Sequence, residues 1–326
     1  MCPRVSSDPV RTTSPLPLPT PPPIYFMSST LKRTREGEGG GGGEDHRKRR
    51  NAEGSSGEES GGSHSDSGER DDEVGHCNLR VGDTLNGYRY VSEGGKGTFG
   101  LVLMCEELRT RRMVAVKVVR KIRKYTESAR MEAGVLEDLA LADPLGASRC
   151  VEYLTSFEWR GHFCMVFEPL GKSLYDLVKA NRFRPLSLSF VQSCAEQMVA
   201  AVVFLHRMSL IHTDLKLENI LLSSNEPFEW REKTTRRREA GEVVMVPKDS
   251  SIKLIDFGGA TYNNGRKTGL ICTRQYRAPE VILGMEWSMP SDVWSLGCIL
   301  AELYNGQLLF ETVRAHVGGL ELFASH

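Results

Sequence analysis

The sequence predicts an α+β chain of two lobes, a β-rich small lobe (87–170) followed by a mainly α large lobe (171–326). Three features predict it. Between Gly87 and Val119 the apolar residues come in short, β-branched runs of strand length, Tyr88–Val91, Leu101–Cys105 and Met113–Val119, separated by Gly-rich or charged turns. A single stretch, Thr126–Leu141, then places Met131, Val135, Leu136 and Leu139 at helical spacing. After Gly171 the pattern turns helical, over Ser173–Ala180 and Leu188–Met208.

The remaining elements follow in order. Apolar strands at Val151–Phe157 and Phe163–Phe167 complete five strands around one helix in the small lobe. Short strands at Ile220–Leu222 and Ile252–Ile255 belong to the large lobe, and between them residues 223–250 are too polar for core and long for a hairpin, so an extended surface insert is expected.

The chain has 326 residues, with 42 Lys+Arg balancing 42 Asp+Glu, but its composition is segregated. Eight of the 15 prolines lie in residues 1–23 and 12 of the 32 glycines between Gly37 and Gly75, so the folding part is shorter than the chain. Residues 1–86 carry too few aromatic and branched apolar residues to offset the entropy of ordering, and a disordered tail is expected there. Its charge is blocked by sign. Lys32, Arg33 and Arg35 precede Arg47-Lys48-Arg49-Arg50 across a Gly-rich spacer, a pattern that resembles a bipartite nuclear localisation signal. A nuclear import receptor is the implied partner and the nucleus the expected location, with the cytoplasm second. Serines among acids (Ser55, Ser56, Ser60, Ser65, Ser67) are candidate phosphate acceptors. The longest apolar run, Met198–Leu205, is eight residues, so no membrane association is expected. The eight cysteines form no CxxC pair and read as reduced intracellular thiols.

Six groups of residues carry chemistry. Gly95-Lys96-Gly97-Thr98-Phe99-Gly100-Leu101-Val102 fits GxGxxGxV between two strands, where glycines let backbone amides approach phosphate oxygens without Cβ obstruction. Val114-Ala115-Val116-Lys117 places an ammonium inside an apolar strand; it needs a partner, and Glu132 on the following helix is the natural one. Downstream stand His212-Thr213-Asp214-Leu215-Lys216-Leu217-Glu218-Asn219, then Asp256-Phe257-Gly258, then Ala278-Pro279-Glu280, then Ser291-Asp292-Val293-Trp294-Ser295-Leu296-Gly297.

In that order and spacing, the sequence from about residue 86 to about residue 311 resembles eukaryotic protein kinases and implies a bilobal protein-kinase-like fold. The resemblance implies that Gly95–Val102 cover the phosphates of ATP, that Lys117 binds them and that Glu132 positions Lys117. It implies Asp214 as the base toward the substrate hydroxyl, Lys216 as the charge on the transferred phosphoryl, and Asn219 and Asp256 as ligands of Mg²⁺. Phe167-Glu168-Pro169-Leu170 resembles the gatekeeper and hinge, so Glu168 and Leu170, with Ala115, are the expected adenine contacts. Lys216 and Thr273 resemble Ser/Thr rather than dedicated tyrosine kinases. Thr213, where most kinases carry Arg, together with Tyr276–Leu283 and the insert before Asp256, resembles the LAMMER (Cdc-like) kinases. Those are nuclear dual-specificity enzymes acting on Ser/Arg-rich splicing factors, and these are the substrates implied. Without the Arg there is no grip for a phosphorylated loop, so activity is expected not to depend on one in that way.

Two departures stand out. Glu93-Gly94 replaces an apolar residue before the glycine loop, which implies a modest effect on ATP affinity. After Thr312 the family continues into its EHLAMMER stretch, whereas this chain reads Val313–His326. The expectation is a large lobe lacking its last helices, with Glu280 short of its Arg partner, an apolar face exposed on helix Ser291–Tyr304, and a translated intron or an incomplete gene model as the source of the tail. Such a chain is expected to express poorly or to be weakly active. The alternative is a catalytically silent, kinase-like binding module. Arg236–Arg238 lie among Glu232 and Glu239 with only Trp230 to stack on, so no direct nucleic-acid binding is expected. A monomer is expected.

Overall fold

A computed structural model describes residues 75, 77–224, 226, 229–232, 243–265, 267, 269–317 and 320–325. The basic clusters between Lys32 and Arg50, the serines at 55–67 and Arg236–Arg238 lie outside the described residues.

The small lobe is one antiparallel sheet of β1 (Thr84–Leu85), β2 (Tyr88–Gly97), β3 (Gly100–Glu107), β4 (Met113–Val119), β5 (Tyr153–Trp159) and β6 (His162–Phe167), in the order β1-β2-β3-β4-β6-β5. That is one strand more than the sequence suggested. Residues 77–86 were assigned to the disordered tail, but Cys77 and Leu85 are buried with Leu103, Cys105, Val114, Val116 and Val118. A few well-placed apolar residues suffice to cover the outer face of a sheet even where average composition is polar. Along β4 the pleat alternates: Val114, Val116 and Val118 enter that outer core, which turns Ala115 and Lys117 to the opposite face.

Helix α1 (Arg123–Ala142) packs on the small lobe through a buried stripe, Ala129, Glu132, Ala133, Leu136 and Leu139. The spacing is that of one helix face, with Glu132 inside it. Met131, expected in the stripe, is exposed, because it stands one residue off that face.

The large lobe contains α2 (Leu174–Ala180), α3 (Leu188–Arg207), β7 (Leu210–Ile211), β8 (Ile220–Leu222), β9 (Glu229–Glu232), β10 (Val243–Val246), β11 (Ile252–Leu254), β12 (Thr261–Tyr262), 3₁₀ turns at Leu217–Asn219 and Arg274–Tyr276, α4 (Pro279–Ile282) and α5 (Pro290–Asn305). Ser173 and Asp176 close a reciprocal capping box on α2. Helix α3 has 20 residues and a mean hydropathy of 1.5, the length and composition of a membrane span. Ser193, Glu196 and Gln197 hide this in a simple count of consecutive apolar residues. Its Phe190, Cys194, Met198, Ala201 and Leu205 are buried in the main core, which is the setting of a core helix.

The insert departs from expectation. Within it β9 and β10 pair antiparallel, from Glu229↔Val246 to Glu232↔Val243. The Asn181 side chain fixes β10: its amide donates to the Met245 carbonyl (2.8 Å) and its oxygen accepts from the Met245 N–H (2.6 Å). Gln197 holds the far end, donating to Ser250 O (2.9 Å) and accepting from Ile252 N–H (3.0 Å). Two side chains thus satisfy backbone groups that a polar surface ladder leaves open.

On α5, Val293, Trp294 and Tyr304 are exposed. Trp294 stacks on Phe310 at 5.6 Å beside a groove of about 850 Å³. Glu280 accepts from the Ser291 hydroxyl at 3.0 Å. Beyond Glu311, where no element was expected, β13 (Thr312–Val317) and β14 (Leu320–Ser325) pair antiparallel.

Candidate active site

Between the lobes lies a cavity of about 560 Å³. Its lining brings together most of the residues singled out in the sequence: Gly95, Lys96, Gly97, Phe99, Gly100 and Val102 from the β2–β3 hairpin; Ala115 and Lys117; Glu132; Glu168 and Leu170; Asn219; and Asp256. Thr98, Asp214 and Lys216 are not in that lining.

The hairpin forms its roof. Strand β2 changes register twice against β3, between Tyr90 and Ser92 and between Glu93 and Gly95, so Glu93-Gly94 acts as a bulge rather than as a loosened strand. The glycines differ in what they are for. A Cβ on Gly100 would stand 2.1 Å from the Val118 carbonyl oxygen, so packing forbids one, whereas nothing lies within 4 Å of a Cβ built on Gly95 or Gly97. Phe99 at the tip is 54% exposed and sits edge-on to Tyr125 at the start of α1.

Under the roof, Lys117 Nζ lies 2.9 and 2.8 Å from the two carboxylate oxygens of Glu132. Burial pushes the Glu132 carboxyl up, Lys117 pulls it back only in part, and Asp256 raises it further. A Cβ on Gly258 would be 3.4 Å from Asp256 Oδ1 and 3.5 Å from Glu132 Oε2, so the absence of a side chain there lets the two acids share one corner.

On the floor, Asp214 is held from three sides. Its Oδ2 accepts from Lys216 Nζ at 2.6 Å, and its Oδ1 accepts from the Thr273 hydroxyl at 2.7 Å and N–H at 3.0 Å. Asn219 donates to the Asp214 carbonyl at 2.9 Å. Burial alone would raise the Asp214 carboxyl, but the hydrogen bonds from Lys216 and Thr273 outweigh it and hold the group below the ordinary carboxylate range. The loop's backbone is fixed from below by Asp292, which accepts from the N–H groups of His212 (2.9 Å) and Thr213 (3.0 Å). His212 in turn lies 3.0 Å from the Ile255 carbonyl and against Phe257. Thr213, Asp256 and Cys272 have φ of 71°, 65° and 63°, a left-handed backbone that non-glycine residues adopt at a cost of about 1–3 kcal/mol each. Thr213 donates its hydroxyl to the Gly259 carbonyl at 2.8 Å, so the position that lacks an Arg is tied directly to the segment after Asp256.

Sequence reasoning missed three supports. Thr273 was noted only as a marker, and its bonds to Asp214 had no spacing signal. Lys253 pairs with Glu168 at 2.5 Å, and Glu168 Oε1 also accepts from the Glu152 N–H at 2.7 Å. The Glu168 side chain is therefore turned to that junction, leaving its backbone for the cavity. Val151 and Leu221 join the apolar lining, and the strand-like runs that contain them carried no hint of it.

The protein kinase domain family matches residues 88–320. The chain belongs to that family. This kinase domain is 44% identical over 246 residues to the serine/threonine-protein kinase AFC1 of Arabidopsis thaliana, a match covering 74% of this chain and 52% of AFC1. It is 45% identical over 244 residues to the human dual specificity protein kinase CLK1, covering 74% and 49%. With lkh1 of Schizosaccharomyces pombe it shares 41% over 243 residues, covering 74% and 34%. These AFC, CLK and lkh1 relatives bear out the LAMMER (Cdc-like) resemblance. The kinase domain spans about half the length of the first two, at 52% and 49%. Its fold is that of protein kinases: it superposes on the crystal structure of the PF14_0431 kinase domain with a TM-score of 0.69 at 42% identity, covering 76% of this chain and 72% of the other.

Proposed function

We propose that the protein transfers the γ-phosphoryl group of ATP to serine or threonine hydroxyls of proteins, with tyrosine as a second acceptor; its relatives CLK1 and lkh1 are dual specificity protein kinases. The observation that carries this is the meeting, at one cleft, of a bidentate Lys117–Glu132 pair above and an Asp214 held ionised by Lys216 and Thr273 below.

The residues fit the cofactors such a reaction needs. The open space over Gly95 and Gly97 admits phosphate oxygens to backbone amides, and Lys117 faces the same cavity. Asn219 and Asp256 supply hard oxygen donors, a set small enough to suit Mg²⁺, which takes one or two protein ligands and completes its shell with phosphates and water. When bound, MgATP supplies the phosphoryl group and compensates the charge that develops on it. Asp214 then orients the acceptor hydroxyl and takes its proton, and Lys216, 2.6 Å away, balances negative charge at the same point.

Ser/Arg-rich splicing factors are the substrate class and the nucleus the location, the latter motivated by the two basic clusters at Lys32–Arg35 and Arg47–Arg50 acting with an import receptor. The test is to incubate the full chain with MgATP and peptides of alternating Arg and Ser, and to map the phosphate by mass spectrometry. Phosphoserine is expected, and its absence from every peptide would leave only a nucleotide- or partner-binding module. Replacing both basic clusters by alanine is expected to move the chain to the cytoplasm, and unchanged nuclear residence would exclude them as the signal.

A further inference from the structure

A hydrogen bond outside the cleft joins α1 to the segment that follows Asp256. The Tyr262 hydroxyl donates to an Asp138 carboxylate oxygen, across 124 positions of sequence. Both ends are anchored. Tyr262 belongs to β12, which pairs with β7 in the register Thr261↔Ile211 and Tyr262↔Leu210, directly before His212–Asp214. The Asn263 N–H extends the attachment to Ser209 O at 2.7 Å, and the Tyr262 ring packs half-buried against the main core. Asp138 sits six residues beyond Glu132 on the same helix, about 9 Å along its axis.

Helix α1 needs such a tie. Glu132 is a carboxylate in an apolar stripe, and burial disfavours its charged form even with Lys117 present. At the end nearer β4, Arg123 and Lys124 are exposed while Tyr125 and Ala129 pack inward, and the opposite end is held through the loop that follows it. There Asp143 accepts from the N–H groups of Ala147 and Ser148 at 2.8 Å each, and that loop leads into Val151, whose N–H donates to Leu254 O at 2.9 Å. The buried stripe sets which face is inward and these bonds fix the helix end; Asp138, on the exposed face, adds a side-chain tie to the segment after Asp256. Burial and Asp138 together push the Tyr262 hydroxyl upward, so it remains a donor at neutral pH.

We propose that Tyr262 is a positioning residue: through Asp138 it latches α1 to the segment after Asp256 and keeps Glu132 on Lys117. This rests on the phosphotransfer reading only for its kinetic arm, and its structural arm is independent of activity.

The experiment is hydrogen exchange by mass spectrometry on the full chain, read over Arg123–Ala142, for wild type, Tyr262→Phe, Asp138→Ala, Asp138→Asn and the Tyr262→Phe/Asp138→Ala double variant. Tyr262→Phe and Asp138→Ala are expected to speed exchange in α1 roughly three- to tenfold, the worth of one charge-assisted bond at a partly exposed site. The double variant should exchange no faster than either single one, and Asp138→Asn, whose side-chain oxygen still accepts, should stay near wild type. In phosphotransfer, kcat should fall by a similar factor with peptide KM unchanged. Unaltered α1 exchange, additive effects in the double variant, or faster exchange spread over both lobes would overturn the latch. A chain with no transfer activity would sink the phosphotransfer reading and leave the exchange data to decide the latch.

Discussion

Lys253 on β11 and Glu168 at the end of β6 meet at 2.5 Å, with side chains 15% and 20% exposed, and so pin the strand that leaves the small lobe to a strand of the large one. Glu168 completes the joint by accepting from the Glu152 N–H. Breaking one partner of a mostly buried pair leaves the other charge uncompensated, so Lys253→Met is expected to destabilise the domain by about 1–3 kcal/mol. Because the joint borders the cavity, nucleotide should recover less thermal stability in the variant than in wild type. Thermal unfolding with and without MgATP checks both.

Glu132 predicts the opposite separation of fold from function. Its carboxyl is raised by burial, so its stability contribution is largest when protonated, below the unfolded carboxyl's value, and is lost as pH rises through the raised folded value. Glu132→Gln removes that buried charge and keeps the shape. Relief of that desolvation offsets part of the cost of leaving Lys117 without its counter-charge, so the melting temperature at pH 7 should fall less than in Lys253→Met, while phosphotransfer falls at least tenfold because Lys117 loses its bidentate partner. A large fall in stability with activity retained would contradict this.

The three GxGxxG glycines, Gly95, Gly97 and Gly100, are expected to part company. Gly100→Ala forces a Cβ onto the Val118 carbonyl, 2.1 Å away, and should cost roughly 1–3 kcal/mol or more. Gly95→Ala and Gly97→Ala meet no protein atom within 4 Å and should leave stability unchanged while weakening nucleotide binding. Equal melting temperatures for all three would show that the roof is not packed as described.

For Asp214 the sign runs the other way. Its folded pKa is depressed, so its contribution to stability is present above the unfolded carboxyl's value of about 3.9 and is lost as pH falls through the lower folded value. Asp214 is therefore ionised throughout the neutral range, and if it is the base its protonation should leave log kcat flat between about pH 6 and 8. Thr273→Ala removes one of the hydrogen bonds that lower it, the hydroxyl's, while the backbone N–H at 273 and Lys216 remain, so any acid limb should shift upward by less than about one unit. A limb near pH 6.5 in wild type that moves in this variant would contradict the assignment.

Much of this was legible in the sequence because the chemistry is local. Lys117 falls on the inner face of β4 by simple alternation, and Glu132 reaches it because both lie on elements joined by a short turn. Strands β8 and β11 read as apolar runs, and the His212–Asn219 loop is marked by its own residues. The misses are contacts made across long separations. Lys253 is 85 positions from Glu168, Thr273 is 59 from Asp214 and Asp138 is 124 from Tyr262, so no window of sequence holds both partners. Residues 77–86 and the β9–β10 ladder were missed for a related reason. The first has too little apolar content to signal structure alone and is ordered by Leu103 and Val114; in the second the apolar Val243–Val246 run stands in a polar, charged segment and is held by Asn181, 64 positions away.

The central claim is that Asp214, held ionised between Lys216 and Thr273, drives transfer of phosphate to a hydroxyl. The direct measurement is the rate of MgATP-dependent phosphorylation of an Arg/Ser peptide by the full chain, beside its Asp214→Asn version at equal folded concentration. The account predicts a loss of about 10²–10⁴-fold, since the isosteric amide keeps the loop and removes the base. Equal rates in the two proteins would contradict it.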